Sequence, residues 1–190
     1  LLDAGLVSRS EKGRIYDRFR NRVMFPIIDV RGNVIAFGGR VMDDSKPKYL
    51  NSPESEIYHK SDVLYGLYQA KRAITQEDCC ILVEGYTDVI SMHQSGIENV
   101  VASSGTSLTE GQIRLISRFT KNVTVIYDGD SAGIKASLRG IDMILREGMN
   151  VRVVLLPPED DPDSFARTHT AAEVQEYIRA NEEDFLTFKA

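Results

Sequence analysis

The chain has 190 residues, of which 42% are hydrophobic and 27% charged, and its formal net charge is −5. These values are typical of a soluble globular protein, and no apolar run approaches the roughly 18 residues of a membrane-spanning helix. We therefore predict one large domain or two small ones, no membrane partner and, since no signal peptide is present, a cytoplasmic location.

The cysteine and histidine content argues against a zinc site. Cys79 and Cys80 are adjacent, which disfavours a disulfide between them, and the three histidines are scattered. A structural zinc site needs four ligands at short spacings, so we expect no zinc in this chain. The chain begins with Leu1 rather than Met, and we expect it to be a piece of a longer protein.

Charge is distributed unevenly along the chain. Residues 1–60 contain 11 Lys and Arg against 8 Asp and Glu, a net charge of +3, whereas residues 61–190 carry a net charge of −8. Such a difference in charge between the two halves of a chain indicates a charged binding partner. A basic front half suits a polyanionic ligand, and an acidic back half suits metal ions.

The first 22 residues are rich in arginine and lysine. Residues 1–7 are predicted to form the end of a helix. Residues 9–22 then carry six basic side chains. Tyr16 and Phe19 lie among these charges, and aromatic side chains among cations suit single-stranded nucleic acid. A solvated surface is the alternative explanation for such a run.

A β-hairpin is predicted next. Residues 23–30 and 34–37 are rich in β-branched and aromatic side chains and are separated by a turn, and Pro26 indicates an edge strand or a bulge. The following Gly-Gly-Arg, residues 38–40, permits a phosphate to approach the backbone beside the forked donor of Arg40. A bulge with a surface arginine explains the same residues equally well.

Residues 43–56 are polar, contain two prolines and are predicted to form a loop. A short amphipathic helix follows at residues 64–74. We expect this loop and helix to join two subdomains.

From Cys79 onward, strands alternate with helices. This order predicts right-handed βαβ units and a parallel sheet. The predicted strands are residues 79–83, 99–102, 123–127 and 151–156, and the predicted helices are 86–94, 109–119, 131–147 and the region from 163, with capping boxes at Thr109/Gln112 and Thr170/Glu173.

Acidic residues follow three of these strands. Glu84 follows the first, Asp128 and Asp130 follow the third, and residues 159–163 (EDDPD) follow the fourth. The carboxyl ends of parallel strands face one crevice, and carboxylates gathered there would repel one another without a cation such as Mg²⁺ or Mn²⁺. Any single acid of this kind also fits a helix cap or a turn, as Asp88 does in a first helical turn.

Three competing motifs do not match the Asp128-Gly129-Asp130 stretch. A calcium loop starting at Asp128 needs an oxygen ligand at its fifth position and Glu at its twelfth, where this chain has Ala132 and Arg139. A dehalogenase-type phosphatase carries its Asp-x-Asp after the first strand, and here it follows the third. A phosphate loop of the Walker type is absent around Gly105.

Several motifs resemble a known family. Residues 81–88 (ILVEGYTD) and 127–133 (YDGDSAG) resemble the Toprim domain of topoisomerases, primases and some nucleases. The remaining motifs resemble the catalytic core of bacterial DNA primase (DnaG type), and they are residues 18–27 (RFRNRVMFPI), 37–40 (FGGR), 47–54 (PKYLNSPE), 59–60 (HK) and 159–163 (EDDPD).

The resemblance implies a fold, a reaction and site residues. The fold is α/β, a Toprim-type parallel sheet flanked by helices, preceded by a small mixed α+β subdomain and followed by the start of a helical region. The implied domains are 1–62, the C-terminal part of the basic subdomain; 63–158, the metal-binding Toprim domain; and 159–190, the acidic segment and first helices. The implied metal ligands are Glu84, Asp88, Asp128, Asp130, Asp161 and Asp163, of which Glu84, Asp128 and Asp130 are catalytic. The implied phosphate-binding residues are Arg18, Arg20, Arg22, Arg40, Lys48, Tyr49, Asn51 and Lys60.

The implied activity is synthesis of short RNA primers on single-stranded DNA by metal-dependent nucleotidyl transfer. Its partners would be the DNA template, NTPs, the nascent RNA primer and a replicative helicase bound through a domain outside this chain. The family's zinc domain is also outside it, so the isolated piece can lack activity. Two alternatives stay open: a Toprim-type topoisomerase or nuclease, and a single-stranded DNA binding module without catalysis.

Overall fold

The computed structural model describes residues 1–105, 107–127, 131–185 and 187, and for Tyr127 and residues 131–138 it describes the backbone only. The chain divides into two compact units, Leu1–Lys60 and Ser61–Ala190. The division predicted above, at 62/63 and 158/159, stays a prediction. No helix in the described part of the chain is both long and apolar enough to cross a membrane.

The N-terminal unit is built from antiparallel strands. Its two sheets contain β1 (Val7–Arg9) with β2 (Ile15–Asp17), and β3 (Arg22–Ile28), β4 (Val34–Val41) and β5 (Tyr49–Asn51). The second sheet has the order β3-β4-β5, which confirms the predicted hairpin. Pro26 lies in the edge strand β3, where a missing N–H is tolerated.

Two local predictions for this unit are wrong, and one hairpin was not predicted. Leu1–Leu6 forms turns rather than a helix end, with Gly5 at a φ of 65° and its N–H donating to the Leu2 carbonyl at 2.9 Å. The predicted loop at 43–56 contains β5, and the basic stretch, for which no strand was predicted, contains most of the β1–β2 hairpin. All three missed strands are only three residues long, too short for a period of two to stand out.

The C-terminal unit has the predicted alternation of strands and helices. Its elements are α1 (Leu67–Glu77), β6 (Cys80–Val83), α2 (Tyr86–Gln94), β7 (Val100–Ala102), α3 (Glu110–Ile116), β8 (Asn122–Tyr127), α4 (Ser131–Arg146), β9 (Asn150–Leu155), α5 (Pro162–Thr168), α6 (Ala171–Asn181) and β10 (Glu183–Asp184). The sheet order is β10-β9-β8-β6-β7. Strands β6 to β9 are parallel, and only the short edge strand β10 is antiparallel to its neighbour.

Local chemistry explains where the helices begin. Thr109 accepts from the N–H of Gln112 at 3.2 Å, and Thr170 accepts from the N–H of Glu173 at 3.4 Å, which confirms both predicted capping boxes. Helix α1 starts at Leu67 rather than at residue 64, because Tyr65 exchanges two backbone hydrogen bonds with Ala102, at 2.9 and 3.0 Å.

One face of the parallel sheet packs against α2, α5 and α6. Val89, Met92, Phe165, Val174 and Ile178 are all buried and share a core with the strands. Burying such side chains stabilises a fold by about 1.5–3 kcal/mol each. The acidic segment before α5 is therefore held at a fixed place relative to the strand ends of this unit.

Candidate functional site

The strand order creates a switch point between β6 and β8. The connection after β6 runs through α2 to β7 on one side, and the connection after β8 runs through α4 to β9 on the other. Open α/β sheets bind their ligands in the crevice outside the carboxyl ends of such a pair. Leu82 lies opposite Val125 in the register, so β6 and β8 end at nearly the same level.

Glu84 is the described acid nearest this switch point along the chain. It follows the last residue of β6, its side chain is exposed, and its backbone carbonyl accepts from the N–H of Ser104 at 3.1 Å. The backbone is thus fixed while the carboxylate remains open to a ligand. Asp128 and Asp130 lie outside the described residues, but β8 ends at Tyr127 and α4 starts at Ser131, as the sequence predicted.

Asp88 is buried at the start of α2. Its side-chain Oδ2 accepts from the N–H of Gly85 at 2.8 Å, which satisfies one of the free donors of the first helical turn. This contact is the one expected of an acid in the first turn of a helix, which was the alternative explanation for Asp88. Its position one turn after Glu84 also keeps it at the same edge of the sheet.

The acids before α5 have defined partners. Asp161 is the N-cap of α5, where Oδ1 accepts from the N–H of Ser164 at 2.7 Å. Asp163 Oδ1 accepts from the Ser91 hydroxyl at 2.5 Å, and its Oδ2 is 3.9 Å from the Arg167 guanidinium. Ser91 lies on α2, so this bond joins the helix after Glu84 to the helix after the acidic segment.

The donor set fits a hard divalent cation. β6 and β9 are the two neighbours of β8, so their ends are separated by about 10 Å, and acids follow both of these strands. Within the described ranges no three Asp, Glu, His or Cys side chains already converge as a metal site. The carboxylates are nevertheless the oxygen ligands that Mg²⁺ and Mn²⁺ prefer.

In the N-terminal unit, β4 and β5 pair an arginine with a tyrosine. Arg40 lies opposite Tyr49 in the register, and its guanidinium carbon is 5.6 Å from the centre of the ring. Asn51 lies two residues beyond Tyr49 in β5 and so shares its face of the sheet. Lys48 is exposed beside them. This surface presents cations, an aromatic ring and an amide, a set suited to phosphates and bases.

Two of the predicted phosphate ligands are bonded within the protein. The Arg22 guanidinium donates to the carbonyls of Pro47, Lys48 and Gly39 at 2.8, 3.2 and 3.3 Å. Arg18 donates to the Asn51 carbonyl at 3.2 Å. Both arginines therefore fasten β5 and its preceding loop to the unit, an indirect role that composition alone did not reveal.

The remaining candidates are Arg20 and Lys60. Arg20 is exposed, with its guanidinium carbon 5.5 Å from the centre of the Tyr16 ring. Lys60 is half-buried, and its backbone N–H donates to Glu54 at 3.0 Å.

Gly39 has a packing role. A Cβ placed there would lie 2.9 Å from the Phe19 ring and 3.1 Å from the Arg22 side chain. Space beside this glycine is therefore filled by the protein itself.

Two family models match this chain. "DNA primase catalytic core, N-terminal domain" matches residues 1–71, and "Toprim-like" matches residues 81–166. The DNA primase of Pasteurella multocida is 50% identical over 182 residues, a match that covers 94% of this chain and 31% of that protein.

Solved structures are similar along nearly the whole chain. A DNA primase domain from Pseudomonas aeruginosa superposes with a TM-score of 0.92 at 44% identity, covering 98% of this chain and 60% of that one. A DnaG primase catalytic domain bound to single-stranded DNA gives 0.87 at 45% identity, covering 95% and 59%. The chain thus spans under a third of the curated relative's length and about three fifths of these solved domains.

Proposed function

The chain belongs to the bacterial DNA primase family, as part of the catalytic core with its Toprim domain, and on that premise we propose that the protein containing it makes RNA primers. In this reaction the 3′-hydroxyl of a ribonucleotide paired with a single-stranded DNA template attacks the α-phosphorus of an incoming NTP, and pyrophosphate is released. Its template, NTPs and nascent primer are substrates. A replicative helicase would bind through a domain outside this chain, in a cytoplasmic bacterial replisome.

The observation that supports this proposal most directly is the exposed Glu84 carboxylate beside the switch point of the parallel sheet. Its backbone is fixed by Ser104, whereas its side chain is open. Ligands of α/β sheets bind in the crevice beyond that strand end.

The acids of the C-terminal unit hold the cations in this proposal. Asp128 and Asp130 are the firmest ligands, with Asp88, Asp161 and Asp163 as contributors. Mg²⁺ or Mn²⁺ bound there would offset the negative charge that develops on the phosphates. Glu84 acts either as a further ligand or as the general acid/base, and its exposure suits both roles.

The cations of the N-terminal unit bind phosphates in this proposal. Arg40 and Lys48 contact triphosphate or template, Lys60 does so near the end of the unit, and Tyr49 and Asn51 shape the surface. The Arg40 guanidinium carbon lies 5.6 Å from the centre of the Tyr49 ring, within the range of a cation–π contact. Arg18 and Arg22 contribute indirectly, because their hydrogen bonds hold the β5 backbone in position.

Template-dependent NTP incorporation by the full-length protein tests the proposal. We expect Asp128→Ala to abolish incorporation, and Glu84→Gln to lower it at least a hundredfold, because an amide can neither act as a general acid/base nor hold a cation as a carboxylate does. Glu98→Gln is the matched control, since Glu98 is exposed before β7, at the opposite edge of the sheet. Mn²⁺ binding by titration calorimetry gives a second readout, and Asp128→Ala should weaken it.

Retained synthesis and Mn²⁺ binding in Asp128→Ala would refute the metal assignment. Metal-dependent nicking of DNA without NTP use would favour a Toprim nuclease or topoisomerase. If replacing all the strand-end acids leaves DNA binding and biological function intact, the chain is a binding module instead.

A further inference from the structure

Two serines at one face of α2 hydrogen-bond to α5. The Ser91 hydroxyl donates to Asp163 Oδ1 at 2.5 Å, and the Ser95 hydroxyl donates to the Ala166 carbonyl at 3.4 Å. Ser91 lies within α2 and Ser95 is its C-cap residue, so the two are four positions apart and share one face. Both serines are buried. The interface between α2 and α5 therefore contains two serine bonds with different acceptors, a carboxylate and a backbone carbonyl.

The Ser91 bond connects the acidic segment to the helix that follows β6. Ser91 lies three residues after Asp88, and residues at that spacing are neighbours on a helix surface. Helix α2 itself begins three residues after β6 ends. Apolar packing holds the two helices together, because Met92 of α2 and Phe165 of α5 belong to one buried core. The acceptor of the Ser91 bond is thus kept close to the helix face that carries Asp88.

The two carboxylate oxygens of Asp163 have different surroundings. Oδ1 accepts from Ser91, whereas Oδ2 lies 3.9 Å from the Arg167 guanidinium, which is beyond hydrogen-bond distance. Among the residues that the structure describes, no other protein donor bonds Oδ2. The Asp163 side chain is 19% exposed, so the carboxylate is not sealed in the interior. Asp163 therefore keeps one oxygen that a cation can bind.

The helix dipole alone does not orient this carboxylate. Asp163 lies in the first turn of α5, where the dipole favours a negative charge. That attraction acts on the charge as a whole and does not select which oxygen points in which direction. A hydrogen bond to one oxygen fixes the rotation of the carboxylate and with it the direction of the other oxygen. Ser91 supplies that bond.

We propose that Ser91 is a positioning residue for the cation site: by holding Asp163 Oδ1, it directs Oδ2 toward the metal ion. This inference rests on the proposed function, in which Asp163 is a metal ligand. Hydrogen-bond partners of ligating carboxylates orient them, and removing such a partner typically costs about 10–100-fold in metal affinity or activity. Ser91 acts only through Asp163 in this arrangement.

Metal binding and the metal requirement of primer synthesis, both measured on the full-length protein, test this inference. We expect Ser91→Ala to weaken Mn²⁺ binding about tenfold in titration calorimetry and to raise the half-saturating Mg²⁺ concentration by a similar factor. The value of kcat at saturating Mg²⁺ should stay within about twofold of wild type, because excess metal fills the weakened site. Ser91→Thr keeps the hydroxyl and should restore Mn²⁺ affinity to within about threefold.

Ser95→Ala is the matched control. It is the same chemical change on the same face of α2, and it also removes a hydrogen bond to α5, but the lost acceptor is a backbone carbonyl. We expect Ser95→Ala to bind Mn²⁺ as wild type does. Wild-type Mn²⁺ affinity and Mg²⁺ requirement in Ser91→Ala would overturn the inference. An equal loss of Mn²⁺ affinity in Ser91→Ala and Ser95→Ala would also overturn it, because helix packing would then be the cause.

A double-mutant cycle tests whether Ser91 acts through Asp163. In an Asp163→Ala background, Ser91→Ala should cause no further loss of Mn²⁺ affinity, because the carboxylate that it positions is gone. A second tenfold loss in that background would contradict the inference. Urea unfolding identifies a variant that fails to fold, and Ser91→Cys, a side chain of similar shape with a weak donor, then takes the place of Ser91→Ala.

Wild-type protein assayed in parallel separates this inference from the proposed function. If wild type makes primers and binds Mn²⁺ while Ser91→Ala matches it in both assays, only the positioning role of Ser91 is refuted. If wild type neither binds Mn²⁺ nor incorporates NTP, the proposed function itself fails.

Discussion

Replacing Arg22 separates a structural role from direct contact with nucleic acid. We expect Arg22→Gln to lower the free energy of unfolding by about 2–3 kcal/mol, because each charged hydrogen bond that is lost contributes on the order of 1.5 kcal/mol. The bond to the Pro47 carbonyl is the shortest at 2.8 Å, and the two longer ones are counted together as a second bond. The aliphatic part of Arg22 also packs against Gly39.

Urea unfolding followed by circular dichroism measures this loss, and a thermal melt should shift by about 5–10 °C for a chain of this size. Arg20→Gln is the matched control: it is the same chemical change in the same stretch, but Arg20 is exposed and bonds no carbonyl in the described structure. We expect that control to lose less than about 0.5 kcal/mol. The opposite result is that Arg22→Gln is as stable as wild type and that the slope of log K against log [salt] for oligo(dT) binding falls by about 0.7. Arg22 would then be a phosphate ligand, and its structural role would be refuted.

Two further predictions concern stability. Gly111→Ala should destabilise the chain by about 2 kcal/mol or more, because the new Cβ would overlap the Asp62 carboxylate and lie 2.6 Å from the Ser61 carbonyl; Gly140→Ala, whose nearest neighbour is a side chain at 3.4 Å, should be neutral or stabilising in urea unfolding. Burial raises the pKa of Tyr58 to about 12 from 10.0, so the folded state keeps a proton that the unfolded state loses, and the free energy of unfolding should fall between those pH values. Tyr58→Phe should remove that part of the decline, and an unchanged pH profile would refute the assignment.

The sequence alone predicts those elements that are set by contacts between residues close together in the chain. Helix α2 has the predicted limits, Tyr86 and Gln94, and the boxes that open α3 and α6 were visible as a threonine followed three residues later by Gln or Glu. Such contacts join residues three positions apart, so their chemistry is present in the sequence itself. The parallel sheet followed from the alternation of these elements.

Sheet order and side-chain partners were not available from the sequence. Nothing local indicates that β8 pairs with β6 rather than with β7, yet that choice creates the switch point beside Glu84. Likewise, Arg18, Arg20 and Arg22 are equivalent as letters in one basic stretch. In the folded chain, Arg18 donates to the Asn51 carbonyl and Arg22 donates to the Pro47 carbonyl, so both hold the backbone in place. Arg20 remains exposed.

Asp161 shows why the cap and ligand explanations of a strand-end acid are compatible. A carboxylate has two oxygens and about four acceptor positions. The N-cap bond uses Asp161 Oδ1, and within the described contacts no protein donor bonds Oδ2. Capping also fixes the side-chain angle, so less entropy is lost when a cation binds the second oxygen. Aspartate at this position can therefore start α5 and still have one oxygen available for the metal ion proposed above.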